Sequence, residues 1–141
     1  MLMNRRGAVL GLVAATGLAA CGSPQGAGNY QIPQPQEGQA QIVMYRPSAA
    51  IGGGLRFPMT VNGMSVGDMP SGTVLTQSVS PGDHVVSTNA PSVDGTSSVP
   101  VSVAAGETAF VKGEAVLGWP TYRPRLVVVP SSQGRSDVSR M

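Results

Sequence analysis

Side chains able to do chemistry are few in this sequence, and they are scattered. His84 is the single histidine, so any serine–histidine–aspartate relay has to use it as the base. Asp83 adjoins it, and neighbours in a strand point to opposite faces, which removes Asp83 as the orienting carboxylate. No serine stands in a Gly-x-Ser-x-Gly turn. The other carboxylates, among them Asp68, Asp94, Glu107 and Glu114, are dispersed. They lack the clustering that a zinc or calcium site needs, so neither metal nor cofactor is expected. Gly52-Gly53-Gly54 runs into Leu55-Arg56-Phe57-Pro58, not into the Gly-Lys-Ser/Thr and helix of a phosphate loop. It reads as a strand connector. His84 reads as a residue that shapes a turn at the start of a strand, with a small hydrolase using it as base the lesser alternative. Trp119, Tyr122 and Arg123 are of the types enriched at binding hot spots. They are candidates for a partner contact, with Trp119 as a core cap the competing reading, and Tyr45 and Arg46 share that ambiguity. Cys21 is the one thiol.

The elements around Cys21 give that thiol its meaning. Arg5 and Arg6 form a positive start, and residues 8–20 carry no charge. The apolar run is shorter than the roughly 20 residues that span a bilayer. A positive start, a short apolar middle and small residues at the cut describe a secretory signal peptide. Leu18-Ala19-Ala20-Cys21 resembles the bacterial lipobox. That resemblance implies cleavage after Ala20 and a diacylglyceryl group on Cys21, with the new terminus acylated as well. One acyl chain binds a membrane marginally, whereas two or more hold firmly at about 0.8 kcal/mol per buried CH₂. Paired arginines also resemble a twin-arginine signal, but no cofactor motif downstream requires folded export, so the general secretory route is favoured. Gly22 departs from the Asp that retains enteric lipoproteins at the inner membrane. The resemblance therefore implies the outer membrane, facing the periplasm.

Loss of the leader changes the charge. Of nine basic residues, Arg5 and Arg6 precede Cys21; the other seven are matched by seven acidic ones, all of which follow it. The mature chain is formally neutral, so neither nucleic acid nor an acidic surface is an expected partner. No cysteine is left for a disulfide, and aromatics are few. The core must therefore be built from Val, Leu, Ile and Met.

Residues 21–39 are rich in Gly, Pro and Gln and read as a disordered tether, spanning on the order of 25 Å as a flexible coil. Residues 131–141 are polar and read as a disordered tail. Between them, residues 40–130 are written in strands. The run 41–45 ends at Arg46-Pro47. Met59-Thr60-Val61 meets Asn62-Gly63 and then Met64-Ser65-Val66, a strong short-range hairpin signal. Residues 73–79 form a strand before Ser80-Pro81-Gly82-Asp83, where Pro and Gly suit a type II turn. Asp94-Gly95 and Ala105-Gly106 mark further turns. Pro100 cannot donate to a ladder, which puts its strand at an edge or a bulge. Leu126-Val127-Val128-Val129 is apolar on both faces and reads as a central strand. The spacing of the turns predicts an all-β fold, a single small antiparallel sandwich, with a small barrel as the alternative.

Tyr45-Arg46-Pro47, Val61-Asn62-Gly63, Val66-Gly67, Pro81-Gly82-Asp83-His84 and Ala105-Gly106-Glu107-Thr108-Ala109-Phe110 occur in that order. Together they resemble a family of uncharacterised bacterial lipoprotein domains, and more distantly the PEGA-type surface β-domains. The likeness covers about residues 40–116. It implies a transthyretin-like or immunoglobulin-like sandwich and no reaction. Leu117-Gly118-Trp119-Pro120-Thr121-Tyr122-Arg123-Pro124 departs from that pattern. The expected protein is a non-enzymatic module held at the envelope by its lipid, binding an envelope protein or a glycan. A structural coat component is the alternative.

Overall fold

The computed structural model describes residues 25–26, 30–49, 52–89, 95–118 and 122–141. Cys21, Leu18, Ala19, Ala20, Asp94 and Trp119 therefore lie outside the described residues.

Among the described residues, nine strands form two packed sheets. They are β1 (Gln25–Gly26), β2 (Ala40–Arg46), β3 (Phe57–Val61), β4 (Met64–Met69), β5 (Thr73–Val79), β6 (Gly82–Asn89), β7 (Thr96–Val103), β8 (Thr108–Leu117) and β9 (Tyr122–Val129). The first sheet runs β1-β5-β2-β8-β9 and the second β4-β3-β6-β7. All pairings are antiparallel except β2 with β8. Neither sheet closes on itself, so this is a sandwich and not a barrel.

Alternation builds the core. Ile42 and Met44 of β2, Met59 of β3, Val86 of β6, Val101 of β7 and Val111 of β8 point between the sheets with Phe57, Met69 and Leu75. With so few rings available, flexible methionines fill the irregular gaps. Every residue of β2 is buried, because the other face of the first sheet is covered too. There Val43, Tyr45, Val74, Phe110 and Val129 form a second cluster with Val138.

Several expected elements stand. Asn62 (φ 51°) and Gly63 (φ 79°) join β3 to β4, both in the positive-φ region that a two-residue hairpin demands. The strand at 73–79 is present with those bounds. Pro100 lies in β7, an edge strand of the second sheet.

Others are corrected. The tail is not disordered: residues 131–139 form a helix, α1 (Ser131–Ser139). Its buried residues are Gly134 and Val138. A methyl group on Gly134 would overlap the Phe110 ring, so the helix backbone lies directly on that ring. The tether is also shorter than expected. Residues 30–39 run along the domain, with Tyr30 and Ile32 packed on the second cluster. The Tyr30 and Thr76 hydroxyls are hydrogen-bonded, and Gln41 Nε2 donates to the Pro33 carbonyl at 2.5 Å. β9 is an edge strand, not a central one. Its two apolar faces arise because Leu126 enters the main core while Val127 and Val129 join the cluster beneath α1. The turns at 80–82 and 104–107 are crossovers, since β5 and β8 belong to the first sheet and β6 and β7 to the second.

Candidate functional site

One part of the sandwich reaches past the rest. β2 accompanies β8 only as far as Tyr45 opposite Lys112. β8 and β9 continue together through Gly113–Leu126, Glu114–Arg125, Ala115–Pro124, Val116–Arg123 and Leu117–Tyr122. These pairs form a two-stranded ribbon. Residues opposite one another share a face. One face carries Gly113, Ala115, Leu117, Tyr122, Pro124 and Leu126, and the other carries Glu114, Val116, Arg123 and Arg125. Leu117 is 74% exposed, Arg123 and Arg125 are exposed and Tyr122 is part-buried. The ribbon end thus has an apolar side and an arginine side. Tyr122 and Arg123 lie on opposite faces of that end, and Trp119 follows Leu117 by two residues in the sequence.

Arg46 does not join them. It is 1% exposed, so of the two roles open to it, it takes the interior one. Its guanidinium donates to the carbonyls of Gly52 at 2.5 Å, Met69 at 3.3 Å and Leu55. It also lies 4.1 Å from the centre of the Phe57 ring, a cation–π contact. Burial lowers its pKa, yet a guanidinium keeps its charge in proteins. The effect is to hold the loop between β2 and β3 against the ribbon. Gly52 lies so near that a Cβ on it would sit 2.5 Å from the Ala115 Cβ. Arg46 is therefore a positioning residue beneath the ribbon base. Its loop closes over a positive charge, a feature that no local sequence pattern signals.

His84 sits at the other end of the first sheet's strands, near where β8 begins. Its Nε2 donates to the Ser80 carbonyl at 2.7 Å. That fixes Nδ1 as the acceptor of the Asn62 amide at 2.9 Å, since a carbonyl can only accept. Asn62 Oδ1 in turn accepts from the Val85 N–H at 2.9 Å. Both ring nitrogens are engaged in bracing the β3–β4 turn against β6, and neither has a free lone pair for a substrate proton. A cleft of about 400 Å³ opens beside it, lined by Asn62, Met64, Val66, Gln77 and Ser80. Asp83 accepts instead from Ser102 Oγ at 2.5 Å. Among the described residues, no group of three or more His, Cys, Asp or Glu side chains could hold a metal ion. No helix among them is long and apolar enough to cross a membrane.

On the outer face, Tyr45 Oη donates to Asp137 Oδ2 at 2.6 Å, fastening α1 to β2. Burial, then this bond, pushes the Tyr45 hydroxyl pKa well up. The same bond, helped by Arg140, holds the Asp137 carboxyl below its usual range despite the opposing effect of burial.

Comparisons with protein-family models, curated proteins and solved structures give no match.

Proposed function

We propose that this protein is a lipid-anchored, non-enzymatic β-sandwich module of the bacterial envelope, which binds a protein or glycan partner through the β8–β9 ribbon. The observation that carries the binding role is the ribbon itself. Five residue pairs extend beyond β2 and end at exposed Leu117 and Arg123, with Tyr122 part-buried beside them. An exposed leucine at the ribbon end, beside two exposed arginines, is the kind of apolar surface that a partner covers. Aromatic and arginine side chains are those whose truncation weakens interfaces most. The anchor rests on the sequence, where Leu18-Ala19-Ala20 precede the lone Cys21. The part that would bind is distinct from the part that would attach, and His84 and Arg46 serve the frame between them.

The test is crosslinking in intact cells, followed by mass spectrometry, for the wild type and for Trp119→Ala and Tyr122→Ala. Both variants are expected to lose a crosslinked partner while keeping the melting temperature within about 2 °C, as surface changes of under half a kcal/mol do. If both changes unfold the domain, these side chains belong to the core and the contact role is wrong.

A further inference from the structure

Within a strand, the N–H and C=O of one residue point to the same side, and those of the next residue to the other side. The Gln41 N–H donates to the Glu107 carbonyl at 3.1 Å, so the odd-numbered residues of β8 bond toward β2. β9 gives the same answer independently. Leu126 stands opposite Gly113, and its N–H turns away from β8 to Ser97 Oγ at 3.1 Å. The pair is thus not hydrogen-bonded, and the Gly113 backbone faces away from β9. Ala115 and Leu117 follow suit. Pro124, opposite Ala115, agrees with this parity, because a missing N–H there removes no ladder bond.

The β2 ladder stops where these groups begin. Tyr45 is the last β2 partner of β8, and the residue that would serve the Gly113 carbonyl is Pro47, which has no N–H. Among the described residues, no backbone group pairs with the Gly113 carbonyl or with either backbone group of Ala115 or Leu117. A slot of about 280 Å³ lies along this edge, lined by Arg46, Pro47, Ala49, Lys112, Glu114 and Ala115.

We propose that the Gly113–Leu117 edge of β8 is a strand-addition site, which takes an extended peptide segment of a partner protein along the line that β2 abandons. This deepens the ribbon reading and rests on it. Main-chain bonds supply the attraction in such sites, and alternate side chains supply the selection. Peptide residues directed inward meet Ala49 and Ala115 and must be small. Those directed outward meet Lys112 and Glu114, which neutralise each other at 3.0 Å, so charge is not selected. The occupant is an uncharged extended segment with small residues at every second position.

The experiment follows backbone amides by NMR in the full chain, held in detergent. In the free protein, Ala115 and Leu117 amides are expected to exchange at least tenfold faster than those of Glu114 and Val116, which bond to β9. A capped heptapeptide that alternates Ala with Val or Thr, at millimolar concentration, should shift the Ala115 and Leu117 signals and slow their exchange. Two versions carry N-methyl groups on alternate positions, and one of the two should be inert. Ala115→Pro removes one of the two free donors on this edge, the one beside the slot, and should weaken the peptide's effect at least tenfold, with Glu114 and Val116 still protected. Should that variant unfold, the N-methylated peptides still decide. Ala115 and Leu117 amides as protected as their neighbours in the free protein would overturn the proposal, as would protection that rises with protein concentration alone. So would a lack of response to the peptide. Binding lost in Tyr122→Ala but untouched by N-methylation sinks the edge and spares the ribbon. Peptide bound at the edge, with the cellular crosslink unaffected in Trp119→Ala and Tyr122→Ala, supports the edge and sinks the role given to those side chains.

Discussion

Arg46 shows how much of this fold hangs on one side chain that sequence reasoning left between core and surface. Its position after Tyr45 and before Pro47 marks a strand end, and strand ends are places where an arginine normally reaches solvent. Here the chain folds back over it, and three carbonyls from two segments share its donors. Local pattern cannot foretell this, because the acceptors are main-chain atoms that any residue supplies. Arg46→Met keeps the volume but leaves those carbonyls unpaired in the interior. Each unsatisfied buried group costs about 1–3 kcal/mol, so with three carbonyls involved the variant is expected to lose at least about 3 kcal/mol in urea unfolding. Arg46→Lys should recover only part, since an ammonium lacks the planar fork. A loss below about 1 kcal/mol for Arg46→Met, on the scale of an ordinary surface change, would remove Arg46 from its place beneath the ribbon. His84 was the opposite case. Its place at a turn was legible in Pro81-Gly82-Asp83-His84, and the structure adds its bonds to Ser80 and, across the β3–β4 turn, to Asn62.

At the scale of elements, hairpins and alternation were legible and long-range pairing was not. Asn62-Gly63 carries its own conformation, so β3 and β4 could be read directly. The parallel pairing of β2 with β8 joins residues more than sixty positions apart, and no local signal encodes it. The helix α1 escaped for a different reason. Ser131–Ser139 offers one apolar side chain, Val138, and a glycine where helix propensity would ask for alanine. What holds it is tertiary: Gly134 on the Phe110 ring and Asp137 on the Tyr45 hydroxyl. Tyr45→Phe should therefore cost about 1 kcal/mol at neutral pH, the net worth of one hydrogen bond. The pH dependence follows from Asp137, whose folded pKa is depressed below its ordinary value of 3.8. Such a group stabilises fully above its unfolded pKa, and the contribution disappears as pH falls through the folded value. The gap between wild type and Tyr45→Phe, followed by urea unfolding, should thus be constant near neutrality and close only in that acid window. A gap that does not depend on pH down to 2 would mean that Asp137 does not fasten the helix.

For the whole molecule, the proposed anchor raises the question of what would hold a formally neutral β-domain at a membrane. Arg5 and Arg6 supply the whole excess of positive charge, and on the lipobox reading they leave with the leader. The remaining seven basic and seven acidic residues balance, so electrostatic attraction to anionic lipid is negligible and screening by salt has nothing to screen. The ribbon, with Arg123 and Arg125 close together, is too small a basic cluster to substitute, since surface potentials contribute only about 1 kcal/mol per cationic side chain. On the proposed reading, acyl chains on Cys21 would supply the attachment. The wild-type protein should then stay with the membrane fraction through a wash at molar salt and leave it only with detergent. Cys21→Ser should shift it to the soluble fraction or stall it with its leader uncut, and in either case it should lose incorporation of labelled palmitate. Release of the wild type by salt alone would place the attachment in charge, and palmitate retained by Cys21→Ser would remove the anchor. The fold sets one further condition. Because β1 (Gln25–Gly26) pairs with β5 and residues 30–39 pack along the sandwich, only the residues from Cys21 to Gln25 would separate domain from lipid. Four residue steps reach at most about 14 Å, so on the proposed anchor the sandwich would work close to the membrane surface, and its partner is expected there.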